Sequence, residues 1–181
     1  YNEVKNYVKE KFDAFYNAIK SSSANLADYA DVDSVTKIYL INELGKNWDS
    51  GVSSLYFTYK QDENGDWKFF GSPVWDYDNS LGNAKGVEWD LGNIGVNDYE
   101  QYSGWWCKYK DKGKNSNSTN NVMNLISRNK NVIKAAPQVW FEDFVPALKT
   151  FMSSGVSEGE IYSSDVYYNL SLIHISEPTR L

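Results

Sequence analysis

The residues best suited to chemistry are three aspartates in two short loops: Asp49 in GKNWDSGVS, and Asp76 with Asp78 in VWDYD. Carboxylate oxygens are hard ligands that suit Mg2+ or Mn2+, and a carboxylate beside a hydroxyl can orient or deprotonate it. Phosphoryl transfer asks a protein for those two capacities, because it needs positioning and charge neutralisation and little covalent chemistry. Aspartates also close ordinary turns. Asp49 therefore reads equally as an Asx turn in a solvated loop, and Asp76 with Asp78 as a strand-end turn. Residue type and spacing leave both readings open.

The segment between the loops decides whether they can meet. SLYFTYK, from Ser54 to Lys60, and WKFF, from Trp67 to Phe70, are aromatic strand candidates, and QDENGD between them carries Asn64-Gly65, a strong hairpin signal. A hairpin returns the chain to its start, so Asp49 and Asp76 are expected within about 10 Å of each other, close enough to share one metal-nucleotide site. Asp62, Asn64 and Asp66 have the spacing of a calcium loop. That loop needs a glycine where Trp67 stands and a closing Glu that is absent, so the hairpin turn is preferred.

Other elements frame this unit. Val4, Tyr7, Val8, Phe12, Phe15, Tyr16 and Ile19 recur at helical spacing, ending at SSSAN. A second helix is expected from Asp31 or Asp33 to Leu44, buried on more than one side, with Gly45 as its C-terminal stop. From Gly71 to about Gly104 the chain reads as a long functional loop, and DKGKNSNSTNN as a surface loop containing the sequon Asn117 to Thr119. Helical periodicity returns in NVMNLISRNKNVIKAA and in WFEDFVPALKTFM, with Pro137 separating them and Pro146 bending or breaking the second. Trp75 and Tyr77 alternate around Asp76, which would make one side of a strand end apolar and the other acidic. Trp105, Trp106, Trp140, Phe141 and Phe144 read as packing of the C-terminal helices or as a carbohydrate-stacking platform.

Composition narrows the function classes. At 181 residues, 41% hydrophobic and 23% charged, the chain suits one folded domain but is small for a complete two-lobed kinase. A net charge of −6 lacks the basic footprint of a nucleic-acid binder. The one cysteine, Cys107, excludes an intrachain disulfide and a Cys-based zinc site. No apolar run is long enough for a membrane span, and no targeting signal is legible, which leaves localisation open.

The order helix, loop with Asp, strand, turn, strand, loop with Asp resembles a protein-kinase C-lobe. More specifically, DVDSVTKIYLINELGKNWDSGVSSLYFTYK followed by WKFFGSPVWDYDNSLGN, Asp31 to Asn83, is similar to the core motif block of the CotH (spore coat protein H) family of atypical bacterial protein kinases. The resemblance implies an α+β, kinase-like C-lobe, mainly helical with a β-hairpin at the active site. It implies ATP as phosphate donor, Mg2+ or Mn2+, and Ser or Thr of a partner protein, such as a spore coat protein, as acceptor. Asp49 then matches the catalytic-loop aspartate, Asp76 the metal-binding aspartate, and Asp78 its neighbour. NLISR, from Asn124 to Arg128, resembles a family helix.

Two departures follow from the same comparison. Ser54 stands where a typical kinase and several family members have Asn, so a second metal position is in doubt and Ser54 is a weaker metal or substrate contact. No Gly-rich phosphate loop occurs, and Lys5, Lys9 and Lys11 read as the solvated face of the first helix. The nucleotide-gripping lysine is expected upstream, residues 1–169 as the C-terminal part of a kinase domain whose N-lobe is missing, and the fragment as inactive by itself. Two other readings stay open: a non-catalytic scaffold or pseudokinase of a secreted or cell-surface assembly, and a carbohydrate-binding module. LSLIHISEPTR, within residues 170–181, resembles a translated sequencing adapter, so a non-native tail is expected and His174, the only histidine, receives no role.

Overall fold

The structure, a computed structural model, describes residues 2–47, 54–77, 80 and 122–153. Helix α1 spans Asn2–Lys20. Its inner face buries Phe15, Ala18 and Ile19, with Phe12 and Tyr16 packed alongside. Only the second half of the apolar stripe reaches the core; Val4, Tyr7 and Val8 are exposed. Ser21 ends the helix, its hydroxyl accepting from the Ala24 amide at 3.0 Å. The lysines here serve the surface: Lys9 pairs with Asp13 and Lys11 with Glu10 on the same helix, and Lys5 is exposed.

After a 3-10 turn at Leu26–Asp28, helix α2 runs Val32–Gly45. Asp31 caps it, accepting from the Ser34 amide at 2.7 Å, which satisfies one of the orphan donors of the first turn. Ile38, Tyr39, Leu40 and Leu44 are buried, as their clustering predicts. So are Asn42 and Glu43, which hydrophobic patterning does not anticipate.

Strands β1, Phe57–Gln61, and β2, Trp67–Gly71, form an antiparallel hairpin in the register Phe57 to Gly71 and Gln61 to Trp67. Ser54 to Tyr56, expected as strand, lie outside the ladder. The turn is also longer than a two-residue Asn-Gly turn, since residues 62–66 all lie outside the ladder. Asp62 organises it by accepting from the amides of Asn64 at 2.9 Å and Asp66 at 3.0 Å, while Gly65 takes the left-handed φ of 86°. Lys68, 2.8 Å from Asp62, is the main cause that holds that carboxyl below the usual carboxylate range. The Asp62 carboxylate thus serves the turn, in line with a hairpin and not a calcium loop.

The hairpin packs through aromatics. Phe69 stacks on Phe15 with ring centres 4.9 Å apart, Phe57 meets Phe15 edge-on at 5.1 Å, and Tyr59 lies 4.7 Å from Phe69. Such pairs add about 0.5–1.5 kcal/mol each beyond the area they bury. β2 also pairs with the segment preceding α2: the Phe69 amide donates to Tyr29 at 3.0 Å and the Asp31 amide to Phe69 at 2.9 Å. The architecture is α+β, mostly helical, with one two-stranded sheet among the described residues.

The C-terminal helices complete the core. Helix α3, Val122–Arg128, contributes Met123, Leu125 and Ile126, and α4, Lys130–Val139, contributes Val132, Ala136 and Val139. The break falls at Asn129 and not at Pro137. Asn129 has extended backbone angles, caps α4 by accepting from the Asn131 amide at 2.9 Å, and donates to the Ile19 carbonyl at 3.0 Å, which ties α3 and α4 to the end of α1. Pro137 remains inside α4 on an exposed face shared with Ile133, where water can serve the carbonyl that proline leaves without a donor. Ahead of Pro146 the helix widens into a π-turn, Trp140–Phe144, in which the Val145 amide reaches Trp140, and α5 continues as Val145–Ser153. The wider turn makes room for the proline ring against the Glu142 carbonyl, so Pro146 reshapes the helix without ending it. Trp140 stacks on Phe144 at 5.5 Å and both pack against the core, whereas Phe141 is exposed; Trp105 and Trp106 lie outside the described residues. No helix of the described residues is long and apolar enough to cross a membrane.

Gly71 is the tightest joint. A Cβ there would lie 2.5 Å from Ile38 Cγ2 and 2.6 Å from the Ser34 carbonyl oxygen. At Gly65 a Cβ would meet nothing within 4 Å, though φ is positive. Gly71→Ala is expected to destabilise the fold by about 1–3 kcal/mol, through overpacking against a backbone atom that cannot yield. Gly65→Ala should cost about 1 kcal/mol, from the left-handed angle alone. Urea midpoints of the two variants check this; a Gly71→Ala midpoint equal to that of the parent contradicts the close seating.

Candidate functional site

The site is built where α2 ends. Lys46 adopts φ 50° and ψ 41°, its amide donates to Glu43 at 3.2 Å, and the Asn47 amide donates to Asn42 at 3.0 Å. These bonds, with a left-handed residue between them, form a Schellman motif. Lys46, and not Gly45, takes the left-handed position. Gly45 lies within the last helical turn, and its lack of a side chain serves another purpose: a Cβ there would stand 3.3 Å from the Tyr77 ring. Asn47 is completely buried, and its Nδ2 donates to Asn42 Oδ1 at 3.0 Å and reaches the Asp76 carbonyl oxygen at 3.5 Å.

From β2 the chain passes the cis Ser72-Pro73 bond and continues toward that helix end. The Ser72 amide donates to Tyr56 at 3.4 Å, which keeps the segment beside the residues leading into β1. Asp76 then stands exposed with φ 60°. Ser54 Oγ donates to Asp76 Oδ2 at 2.9 Å. Of the proposed site residues, Ser54 and Asp76 are therefore brought together. Asp49 and Asp78 lie outside the described residues, and so does the expected distance between Asp49 and Asp76.

The left-handed angle at Asp76 cancels the alternation expected of a strand end. Trp75 is 58% exposed and meets Tyr56 edge-on at 6.4 Å. Tyr77 turns inward against Gly45, and the Ser80 hydroxyl donates to its carbonyl at 2.5 Å. Burial pushes the Tyr77 phenol well above its ordinary value, and Asn47 opposes that shift. The Tyr77 hydroxyl nevertheless forms no well-aligned hydrogen bond among the described residues, so Asn47 acts on it by proximity.

Asp76 and Ser54 offer a charged oxygen and a hydroxyl oxygen on an exposed edge with a buried polar base beneath. Those are hard donors, of the kind Mg2+ or Mn2+ takes. Among the described residues no three His, Cys, Asp or Glu side chains gather as a metal cluster. Sequence reasoning missed Asn42 and Asn47; the signal was present as two carboxamides that bracket the stop of the helix. It also assigned the wrong residue to the left-handed stop.

A mostly helical α+β domain with a hairpin leading into an aspartate loop is the class of structure defined so far. The model of the CotH kinase protein family matches residues 1–135 of the 181, and the chain belongs to that family. The match reaches beyond the Asp31 to Asn83 block in both directions and takes in α1, α3 and part of α4. No curated protein and no solved structure matches the chain.

The backbone at Asp76 yields a test that separates strain from charge. Asn tolerates the left-handed region and Ala does not, while both remove the carboxylate. Asp76→Ala should therefore lower stability by about 1–2 kcal/mol more than Asp76→Asn. Equal urea midpoints for the two variants would show that the angle places no burden on the fold.

Proposed function

We propose that this chain is the catalytic part of an atypical protein kinase that transfers phosphate from ATP to Ser or Thr of a partner protein. Spore coat proteins are the partner class that the family name suggests. Asp49 orients the acceptor hydroxyl and takes up its proton, and Asp76 with Asp78 would hold Mg2+ or Mn2+. A cation bound there would neutralise phosphate charge as the bond to the leaving group breaks. Ser54 steadies the Asp76 carboxylate and is at most a weak cation contact. The observation that carries this reading is the 2.9 Å hydrogen bond from Ser54 to Asp76, because it joins the segment following Asp49 to the aspartate loop beyond the hairpin. Family membership supports a kinase-like fold and activity of this kind.

The 181 residues contain no Gly-rich phosphate loop, so the grip on the triphosphate is proposed to come from polypeptide beyond them. A non-catalytic pseudokinase is the second reading, and Ser54 favours it, because it stands where a typical kinase has an Asn that binds the second metal. Transfer of labelled phosphate from ATP by the full-length protein separates the two. Asp49→Asn should lower turnover by roughly 100-fold or more and leave metal-nucleotide affinity nearly unchanged. Asp76→Asn should instead weaken metal-dependent nucleotide binding sharply. Transfer at the parent rate in both variants overturns the kinase reading.

A further inference from the structure

The side chains at the end of α2 are unusual for the motif they belong to. In a Schellman ending the third residue from the end and the second residue beyond it commonly touch through apolar side chains. Here those residues are Asn42 and Asn47, and the contact is an amide hydrogen bond of 3.0 Å. Asn47 has 0% exposure and Asn42 2%. Closing a helix does not require two buried carboxamides, since an apolar pair would do so without burying polar groups.

What the apolar pair could not do is reach the backbone of Asp76. Asn47 Nδ2 carries two hydrogens. One serves Asn42 Oδ1 at 3.0 Å, and the Asp76 carbonyl oxygen lies within reach of the other at 3.5 Å, beside the Tyr77 hydroxyl on which Asn47 also acts. Asn42 is itself held, its own Nδ2 donating to the Ile38 carbonyl at 2.7 Å. The chain of contacts therefore runs from the interior of α2 through Asn42 and Asn47 to Asp76, the residue whose φ of 60° needs support from its surroundings. Asn47 also precedes Asp49 by two positions, so the same residue anchors the root of the other candidate loop.

We propose that Asn47 is a positioning residue, which holds the Asp76 backbone in its left-handed conformation and so aims the Asp76 carboxylate at Ser54 and at the cation. The cation part rests on the function proposed above; the conformational part does not. Partners that orient a metal ligand are typically worth 10- to 100-fold in metal affinity, and the expected effect is of that size, roughly tenfold or more.

The test compares the parent chain with Asn42→Ala, with the pair Asn42→Ala and Asn47→Leu, and with Asp76→Asn. Nuclear magnetic resonance reports the Asp76 backbone through its intraresidue amide to Hα Overhauser effect, which is strong only where φ is positive, and calorimetric titration with MnCl2 reports cation affinity. The double variant restores an apolar helix end, so its thermal midpoint should stay near that of Asn42→Ala. Its Asp76 should leave the left-handed region, and Mn2+ affinity should fall roughly tenfold or more. Asn42→Ala removes the hold on Asn47 but leaves its donor in place, so it should disturb the Asp76 angle less than the Asn47 variants do. If the double variant does not fold, Asn47→Ser carries the same measurements, because its hydroxyl is too short to reach Asp76. A left-handed Asp76 in the Asn47 variants overturns the proposal whether or not Mn2+ binds. Unchanged Mn2+ affinity in Asp76→Asn overturns the metal role of Asp76 instead and leaves the conformational result to decide on Asn47.

Discussion

The seating of β2 on α2 through Gly71 is the constraint from which the site follows. With no side chain at Gly71, the strand end approaches Ile38 and the Ser34 carbonyl directly, and the Gly71 amide donates to the Ser34 hydroxyl at 3.2 Å. The next fixed point is Tyr77 against Gly45. Along a helix the path from Ile38, the nearest contact of Gly71, to Gly45 covers about 10 Å, and the segment from Gly71 to Tyr77 can span about 20 Å. The connection therefore reaches the end of α2 with slack, which leaves room for the cis bond and for the left-handed Asp76. Asp76 is placed there by its contacts with Ser54 and Asn47.

That delivery gives the helix end its second task. A Schellman ending satisfies the last carbonyls of α2 and reverses the chain toward the loop that contains Asp49. The arriving segment brings the Asp76 carbonyl oxygen within 3.5 Å of the Asn47 side chain, so the ending also offers that oxygen a donor. Asn47 supplies it from within the interior, and Ser54 steadies the carboxylate from outside. The aromatic stack of Phe15, Phe57 and Phe69 fixes the hairpin from the opposite side, so both loops leave from rigid elements. Residues that act on a phosphate need such rigidity, because misplacement by an ångström costs much of the rate.

Periodicity and turn chemistry made most of the scaffold legible. Helices α1 and α2 and the hairpin are local decisions, set by apolar spacing, by Asp31 as cap and by the glycine in the 62–66 turn. Tertiary decisions were not legible. Proline usually ends a helix, but the exposed face of Pro137 lets water replace the lost bond, while Asn129 breaks the helix to reach Ile19. Lys46 took the left-handed place expected of Gly45, since Gly45 was needed where Tyr77 packs. Within the candidate site, residue type and family resemblance single out Asp76 and Ser54, which the structure brings together. They do not single out Asn47, because a buried carboxamide has no periodic signature and its contact lies 29 positions away.

The central claim is that the two aspartate loops serve one cation site at the end of α2. Diffraction from crystals of the chain soaked in MnCl2, recorded to show the anomalous signal of manganese, tests it most directly. The account predicts one peak within about 2.5 Å of an Asp76 carboxylate oxygen, with Asp49 or Asp78 completing its oxygen ligands. A peak held by the carboxylates of the 62–66 turn, with none at Asp76, would contradict it.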